Sequence, residues 1–153
     1  MERKRAPDTR SKNALRAWIR LTKVAKRIES HVNRRFAEAH DTSLARFDVL
    51  ANLERCEDHA AGATELSRML LASQGNITRL LDRMEQDRLV RRRAGVRDRR
   101  VSEVQMTRAG ETLFARLAAD HEAWTDAMFG ALDNGELKQL TALLGKLRAR
   151  LDA

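Results

Sequence analysis

The sequence predicts a mainly α-helical fold that carries one small β-hairpin, an α+β class in which helices dominate. Apolar residues recur at intervals of three and four along most of the 153-residue chain, a spacing that places them on one face of an α-helix. Between residues 89 and 106 the pattern changes to alternation around Gly95, which is typical of two short strands joined by a turn. The composition, 34% charged and only 4% aromatic, is that of a helical protein.

The first predicted helix covers residues 12–39 and follows a basic arm, residues 1–11, which we expect to stay without fixed structure until it meets an anion. Its apolar residues recur over about seven turns. They are Leu15, Trp18, Leu21, Ala25, Ile28, Val32 and Phe36. A helix this long in so short a chain must pack on more than its own domain. Ser43 or Thr42 then caps a second helix over residues 44–55.

A helix-turn-helix is predicted next. Residues 56–63 are expected to form a polar loop, after which Thr64 caps a short helix over residues 65–71. Ser73 caps the following helix, residues 74–87, whose apolar stripe faces a core while its other side is polar. The stripe consists of Ile77, Leu80, Leu81 and Met84. We therefore expect a compact winged domain over residues 44–106.

The hairpin is strongly basic. Residues 88–100 contain seven arginines against the single acid Asp98. Charge runs are usually solvated faces, but this one directly follows a polar-faced helix whose first turn is left open by Gly75, so that its backbone N–H groups can approach a phosphate. Together with the formal net charge of +8, this order of elements favours a nucleic-acid partner.

Two more helices complete the chain. Thr107 caps a long helix that ends near Gly130, and Asp133 with Glu136 forms a capping box for the last helix, residues 136–151. The last helix carries a coiled-coil-like seam. Its members are Leu137, Leu140, Leu144, Leu147 and Leu151. Such leucines are more often intramolecular core, but the winged domain already has its own core. We therefore expect residues 12–43 and 107–153 to form a two-fold symmetric homodimer.

Several classes of protein are disfavoured. Asp120, His121 and Glu122 are adjacent, but neighbours on a helix point in different directions and cannot serve one substrate, and no nucleophile motif or Gly-rich phosphate loop is present, so we expect no enzyme and no cofactor. The histidines show no metal-ligand spacing, although a zinc site assembled in three dimensions stays open. They are His31, His40, His59 and His121. The charged N-terminus lacks a following apolar run, which predicts a cytoplasmic protein without a membrane partner.

The chain resembles the multiple-antibiotic-resistance regulator (MarR) family of winged helix-turn-helix repressors over about residues 15–150. Four stretches carry the resemblance in order: LARFDVLANL at 44–53, TELSRMLLASQGNITRLLDRMEQDRLV at 64–90, DRR at 98–100 with MTRAG at 106–110, and ELKQLTALLGKLRARL at the end. The resemblance implies a homodimer with interlocked first, fifth and sixth helices. It also implies a transcriptional regulator that binds an inverted repeat in double-stranded DNA and represses until a small anionic or aromatic effector binds.

The resemblance also implies DNA contacts. Helix 74–86 would enter the major groove, and the hairpin would place Arg100 in the adjacent minor groove, oriented by Asp98 through a bidentate pair. Arg97 and Arg99 are expected to meet phosphates.

The exposed side of helix 74–86 supplies the expected base contacts. We expect Gly75, Thr78 and Arg79 to read bases, with Arg83 flanking them and Arg79 suited to a guanine. Three further residues are predicted to position the protein on phosphates. They are Ser67, Arg68 and Ser73.

Two positions depart from the family pattern. Arg88 stands where the family usually has glycine, so the helix end must use another backbone solution or tolerate strain. Gly95 and Val96 stand where a proline often precedes the acidic residue of the hairpin. Neither departure threatens the fold, but both affect the pose of the hairpin.

The resemblance also implies an effector crevice between the dimer helices and the winged domain. Four residues could line it by position, but each is more often a core residue. They are Trp18, His31, Phe47 and Trp124. Arg46, with Arg16 and Arg20, could match a carboxylate or equally be a surface charge.

Two alternative functions stay open. A redox-sensing regulator would use Cys56, the single cysteine, although relatives that sense oxidants do so near the start of the first helix, and reactivity would need a lowered thiol pKa. A sequence-indifferent nucleic-acid-binding protein is supported by charge alone. A repressor, in contrast, should prefer an inverted repeat with half-sites about one duplex turn apart.

Overall fold

A computed structural model describes the protein over residues 9–70, 73–95 and 102–152. The elements in chain order are α1 (Thr9–His40), α2 (Leu44–Glu54), a 3₁₀ turn (Glu57–His59), β1 (Ala60–Gly62), α3 (Ala63–Met69), α4 (Gln74–Gln86), β2 (Val90–Ala94), β3 (Ser102–Met106), α5 (Arg108–Phe129) and α6 (Asn134–Leu151). The predicted fold class, mainly helical with a small β-hairpin, is confirmed. The first helix begins at Thr9, three residues inside the predicted flexible arm.

The sheet is antiparallel and has three strands in the order β1-β3-β2. In the β2/β3 hairpin Val90 pairs with Met106, and β1 pairs with the other edge of β3 through Ala61 and Val104. The prediction of a polar loop over residues 56–63 is wrong in this respect. Three small residues carry almost no strand signal of their own, so the strand depends on its pairing partner rather than on local preference.

The core lies where α2, α3 and α4 pack on the sheet; α1 adds two residues and α5 adds one. Its buried side chains are Val32, Phe36, Phe47, Val49, Leu50, Leu53, Ala61, Leu66, Ile77, Leu81, Met84, Val90, Val104, Met106 and Leu117. The predicted apolar stripe of α4 is thus largely confirmed. Met69, an apolar residue of α3, is 43% exposed and lies outside the core. This core fixes the orientation of α4, whose opposite face is left to solvent.

Side chains at the helix starts satisfy free backbone N–H groups. Ser43 Oγ accepts from the Arg46 N–H at 3.3 Å, and Ser73 Oγ accepts from the Asn76 N–H at 3.4 Å. The capping box of α6 is also confirmed, with Asp133 and Glu136 each accepting from the other's backbone N–H at 2.9 Å. α3 instead begins after Gly62, which has no side chain with which to cap.

The chain divides into two compact units, which meet in sequence between Leu117 and Ala118. The first contains α1, the winged helix-turn-helix and the start of α5. The second contains the rest of α5 and α6, and none of its described residues is buried. Within the described ranges, no helix is both long enough and apolar enough to cross a bilayer.

Candidate DNA-binding surface

The exposed face of α4 begins at an open first turn. Gly75 is exposed, and a methyl group there would meet no atom within 4 Å, so packing does not require glycine at this position. Gln74 Nε2 donates to Thr64 Oγ1 at 2.6 Å and ties this turn to α3. Thr64, predicted as the cap of α3, therefore contributes its hydroxyl to the α3–α4 contact instead. The start of α4 is therefore tied to α3, and no side chain at position 75 covers its outer side.

The side chains predicted to read bases are exposed and partly preorganised. Arg79 Nη2 donates to Asn76 Oδ1 at 2.7 Å, which uses one of the five donors of the guanidinium. Thr78 Oγ1 donates to the Gln74 carbonyl at 2.9 Å, so its oxygen can still accept. Arg83 lies one turn after Arg79 and is also exposed. These residues therefore share one accessible side of α4.

The predicted phosphate contacts lie close to this helix start. Ser67 is half-buried and Arg68 is exposed on α3, and Ser73 is exposed at the N-cap of α4. The Ser73 hydroxyl oxygen is already engaged by the Asn76 N–H. Its O–H donor is the group that could serve a phosphate oxygen.

An arginine of the hairpin joins β2 to α4. Arg92 forms ion pairs with Asp82 and Glu85, and its backbone N–H donates to Glu85 Oε1 at 3.0 Å. The hydrogen bond to Asp82, reinforced by the charges of Glu85 and Asp82, raises the pKa of Arg92 above its ordinary value. We call this set, Arg92 with Asp82 and Glu85, the α4–β2 clamp. It holds the hairpin strand in a fixed position against α4.

Two more hairpin arginines are committed to protein partners. Arg93 Nε donates to Glu103 Oε2 at 3.1 Å, and both Nε and Nη2 of Arg91 donate to Gln105 Oε1 at 3.1 and 2.8 Å. Glu103 therefore offsets the charge of Arg93, whereas Gln105 holds the Arg91 side chain without changing its charge. Sequence reasoning missed these pairs, although each follows from the register, since Arg91 lies opposite Gln105 and Arg93 opposite Glu103.

The end of α4 passes through a left-handed backbone conformation at Arg88. This residue has φ of 59°, in the region that favours glycine. Its N–H donates to the Glu85 carbonyl at 2.9 Å, and the Leu89 N–H donates to the Met84 carbonyl at 2.9 Å, which together form a Schellman motif. The chain thus keeps the backbone solution that suits glycine and tolerates the strain of a side chain.

The predicted hairpin contacts Arg97, Asp98, Arg99 and Arg100 lie outside the described residues. Their assignment to the minor groove and to phosphates stays a prediction that follows from the resemblance.

The residues predicted to line an effector crevice occupy different environments. Phe47 is 8% exposed, and the centroid of its ring lies 5.0 Å from that of Phe36 and 5.9 Å from that of Phe114. Phe47 is therefore a core residue. Arg46 Nη2 lies 2.6 Å from Asp87 Oδ2 and joins α2 to the end of α4.

The other residues of that set lie on the long helices. Trp18 is 61% exposed on α1, and His31 Nδ1 lies 3.3 Å from Arg34 Nη2 on the same helix. Arg16 and Arg20 are exposed on α1, and Trp124 is half-buried on α5 in the second unit.

A cavity of about 520 Å³ opens beside α4. Apolar side chains, two arginines of α4 and acidic residues of α1 and α2 line it. The lining residues are Glu29, Ala45, Asp48, Leu70, Asn76, Ile77, Arg79, Leu80 and Arg83. None of Trp18, His31, Arg46 and Phe47 contributes to it. No pattern in the sequence marks this site, because it depends on how three separate helices meet.

The thiol of Cys56 is held in a protein environment. Its Sγ donates to the Asn52 carbonyl at 3.2 Å. Burial, followed by the nearby charge of Glu65, raises the pKa of Cys56. This disfavours the thiolate, which is the reactive form, and weighs against the redox alternative. Within the described ranges no three histidine, cysteine, aspartate or glutamate side chains are grouped so as to hold a metal ion.

Comparison with known proteins gives consistent results. The MarR family model matches residues 42–102. The transcriptional repressor MprA of Escherichia coli (strain K12) is 30% identical over 137 residues, which span 88% of this chain and 78% of the repressor. The HTH-type transcriptional regulator MhqR of Bacillus subtilis (strain 168) is 28% identical over 137 residues, which span 90% of this chain and 92% of that protein. Both relatives are regulators of transcription.

Among solved structures, the fold is similar to that of Sco3205, a MarR family transcriptional regulator from Streptomyces coelicolor, in complex with DNA. The TM-score is 0.81 at 20% identity, with 100% of this chain and 94% of the other covered. The likeness supports the winged-helix architecture derived above.

Proposed function

The chain belongs to the MarR family, and from this premise we propose that it is a homodimeric, sequence-specific DNA-binding repressor of transcription that a small ligand releases from DNA. The observation that carries the proposal is the exposed, polar face of α4, which begins at an open, Ser73-capped turn and presents Arg79. The α4–β2 clamp fixes the hairpin beside it. As in its relatives, the function is regulation of transcription rather than catalysis.

DNA recognition would use α4 in the major groove. Its width admits a helix, and a guanidinium can contact a guanine through two hydrogen bonds, worth about 1–3 kcal/mol of discrimination. The hydrogen bond to Asn76 restrains Arg79 before DNA arrives, so less side-chain entropy is lost on binding. Phosphate contacts from α3 and the α4 cap would set the register. Asp98 and Arg100 would act in the minor groove, as the resemblance implies.

Dimerisation would use α1 and α6. Both helices expose large apolar side chains that the described part of the chain leaves uncovered. They are Leu15, Trp18, Ile19, Leu21 and Val24 on α1, and Leu143, Leu144, Leu147 and Leu151 on α6. Several exposed large apolar side chains on one helix are typical of a protein interface. A two-fold dimer would present two α4 helices to the half-sites of an inverted repeat.

Release by a ligand would use the cavity beside α4. Arg79 and Arg83 line it together with the apolar Ile77 and Leu80, and we propose that an anion with an aromatic or aliphatic body pairs with the two guanidinium groups, against the repulsion of Glu29 and Asp48 in the same lining. Because Arg79 is also the proposed base-reading residue, a ligand that binds its guanidinium would compete with DNA for it. Such a ligand shifts the equilibrium only by its preference for the DNA-free state.

Fluorescence anisotropy on DNA from upstream of the protein's own gene, against scrambled DNA and across a salt series, tests the proposal. We expect a preference of about 10³-fold or more for the upstream DNA at physiological salt, lost on R79A or R100A. Equal affinity for both DNAs, with only a steep salt dependence, would instead identify a sequence-indifferent nucleic-acid-binding protein.

A further inference from the structure

The N-terminal half of α1 carries a continuous basic face. Residues 9–28 contain seven basic residues and no acidic residue. Five of them recur at intervals of four and three, which places them on one side of the helix. They are Lys12, Arg16, Arg20, Lys23 and Arg27, and we call them the α1 basic face. The set extends for about 22 Å along the helix axis.

These five side chains are exposed, and none has an ionic or hydrogen-bond partner among residues 9–70, 73–95 and 102–152. Arg92 and Arg93 of the winged domain, in contrast, each bind carboxylates. Like charges four residues apart repel one another on a helix. The α1 basic face therefore lowers the stability of the isolated helix and favours an external anion that would neutralise it.

The α1 basic face is separate from the surface built on α4. Glu29, the residue of α1 that lines the cavity beside α4, lies on the opposite side of the helix from Arg16 and Arg27. Trp18, which belongs to the proposed dimer interface, lies on the opposite side of the helix from Arg16 and Arg27. Dimerisation would thus cover the apolar side of α1 and leave its basic side in solvent.

We propose that the α1 basic face binds the phosphate backbone of duplex DNA outside the segment read by α4. The inference rests on the proposed function, because a regulator bound to its operator has duplex DNA close to α1. Two sources share this chemistry: a flank of the same duplex, or a second duplex brought alongside. About 22 Å of duplex axis carries about 13 phosphates, more than enough to match five cations. The contact is independent of the DNA sequence. A row of lysines and arginines on the phosphate backbone positions the DNA, but it does not contact the base edges that carry sequence information.

The test compares the full chain with the variant R16Q/R20Q/K23Q/R27Q. The matched control, K138Q/K146Q/R148Q/R150Q, removes the same charge from exposed positions of α6. Anisotropy with duplexes of about 20 and about 60 base pairs of the upstream DNA, across a salt series, reports contacts to a flank. Capture of a labelled free duplex by protein on a bead-bound duplex reports contacts to a second one.

If the flank is bound, the longer duplex has the steeper salt dependence, and the α1 variant lowers its slope by about 2–4, while the α6 control leaves it unchanged. If a second duplex is bound, capture falls at least about tenfold in the α1 variant alone. Equal slopes and equal capture for the α1 variant and the unmodified chain would overturn the proposal. So would α1-dependent binding to phosphatidylglycerol vesicles without either DNA effect, because the anionic partner would then be a lipid surface.

Two controls keep the interpretation clear. Circular dichroism verifies helicity, and if the fourfold variant loses helix, R16Q/R20Q and K23Q/R27Q replace it, each expected to remove about half of the slope difference. Failure of the proposed function looks different, since the unmodified chain would then not prefer upstream over scrambled DNA whatever residues α1 carries.

Discussion

The backbone of Gly110 on α5 lies so close to that of Leu89 that a methyl group at Gly110 would overlap the Leu89 carbonyl oxygen. Thr107 accepts from the Gly110 N–H at 3.1 Å and donates to the Arg88 carbonyl at 2.6 Å. The start of α5 is thereby fixed against the turn that ends α4. Any side chain at Gly110 must move one of these two backbones.

G110A should therefore destabilise the protein, by about 1–3 kcal/mol or more, since the contact is with backbone and cannot be relieved by a rotamer change. Urea unfolding monitored by circular dichroism measures the loss. G75A is the matched control, because a methyl group there meets no atom within 4 Å, and its stability should stay equal or rise. A stable G110A with unchanged unfolding midpoint would show that the contact is relaxed in solution.

R88G should stabilise the fold. A non-glycine residue in the left-handed region costs about 1–3 kcal/mol of folding free energy, and glycine removes this cost. Because glycine also loses more chain entropy on folding, the net gain in stability should be about 0.5–1 kcal/mol. Thermal unfolding measures it as a higher Tm. R88K, which keeps a side chain at φ of 59°, should not raise the Tm. A lower Tm for R88G would mean that the Arg88 side chain contributes more than the backbone strain costs.

D82N/E85Q should lower the preference for upstream DNA more than it lowers the free energy of unfolding. The clamp is a half-exposed ion-pair network, so its loss should cost less than about 1 kcal/mol of folding free energy. Arg92 is then free to bind phosphates, and we expect tighter binding to scrambled DNA and a smaller preference for upstream DNA in anisotropy measurements. D120N/E122Q removes the same charge from α5 and should leave the preference unchanged. An unaltered preference in D82N/E85Q would show that the hairpin position does not depend on the clamp.

Cys56 should react slowly with iodoacetamide at neutral pH. Burial and Glu65 raise its pKa, so the thiolate fraction at pH 7 is lower than in the unfolded chain, and the rate should rise only at a more alkaline pH. Mass spectrometry of the folded and urea-unfolded chain gives both profiles. C56S should release DNA under peroxide no differently from the unmodified protein. Peroxide release that C56S abolishes would restore the redox interpretation.

R83Q should weaken ligand binding. Benzoate serves as the probe, because its carboxylate matches the guanidinium groups that line the cavity and its ring matches the apolar side chains beside them. Calorimetry should show at least about tenfold weaker benzoate binding for R83Q, since one charge-assisted hydrogen bond is worth about 1.5–3 kcal/mol. R116Q, at an exposed position of α5, is the control. Equal benzoate affinity for R83Q and the unmodified chain would place the ligand elsewhere.

Local patterns accounted for most helix positions. Ser43, Ser73 and the Asp133–Glu136 box predicted helix starts correctly, because a cap is a contact between residues three apart. The strand Ala60–Gly62 could not be predicted, since its hydrogen bonds come from β3, more than forty residues later.

The candidate site was less accessible to sequence reasoning. The polar face of α4 followed from periodicity alone. The partners of Arg91, Arg92 and Arg93 did not, because neither strand register nor the approach of β2 to α4 is encoded locally. For Phe47 the sequence left a crevice and the core both open, since an aromatic side chain at helical spacing does not reveal which neighbour covers it, and the structure places its ring against Phe36 and Phe114.

The presence of Arg79 both in the cavity and on the exposed side of α4 has a genetic consequence. Under the proposed function, substitutions at Arg79 abolish repression, so a selection for strains that remain repressed in the presence of inducer cannot recover them. That selection should instead recover changes that close the cavity without touching the DNA-binding side of α4, such as larger side chains at Ala45, which lines the cavity and is not proposed to contact DNA. The spectrum of non-inducible alleles would therefore map the ligand site even when the inducer is supplied only as a crude mixture.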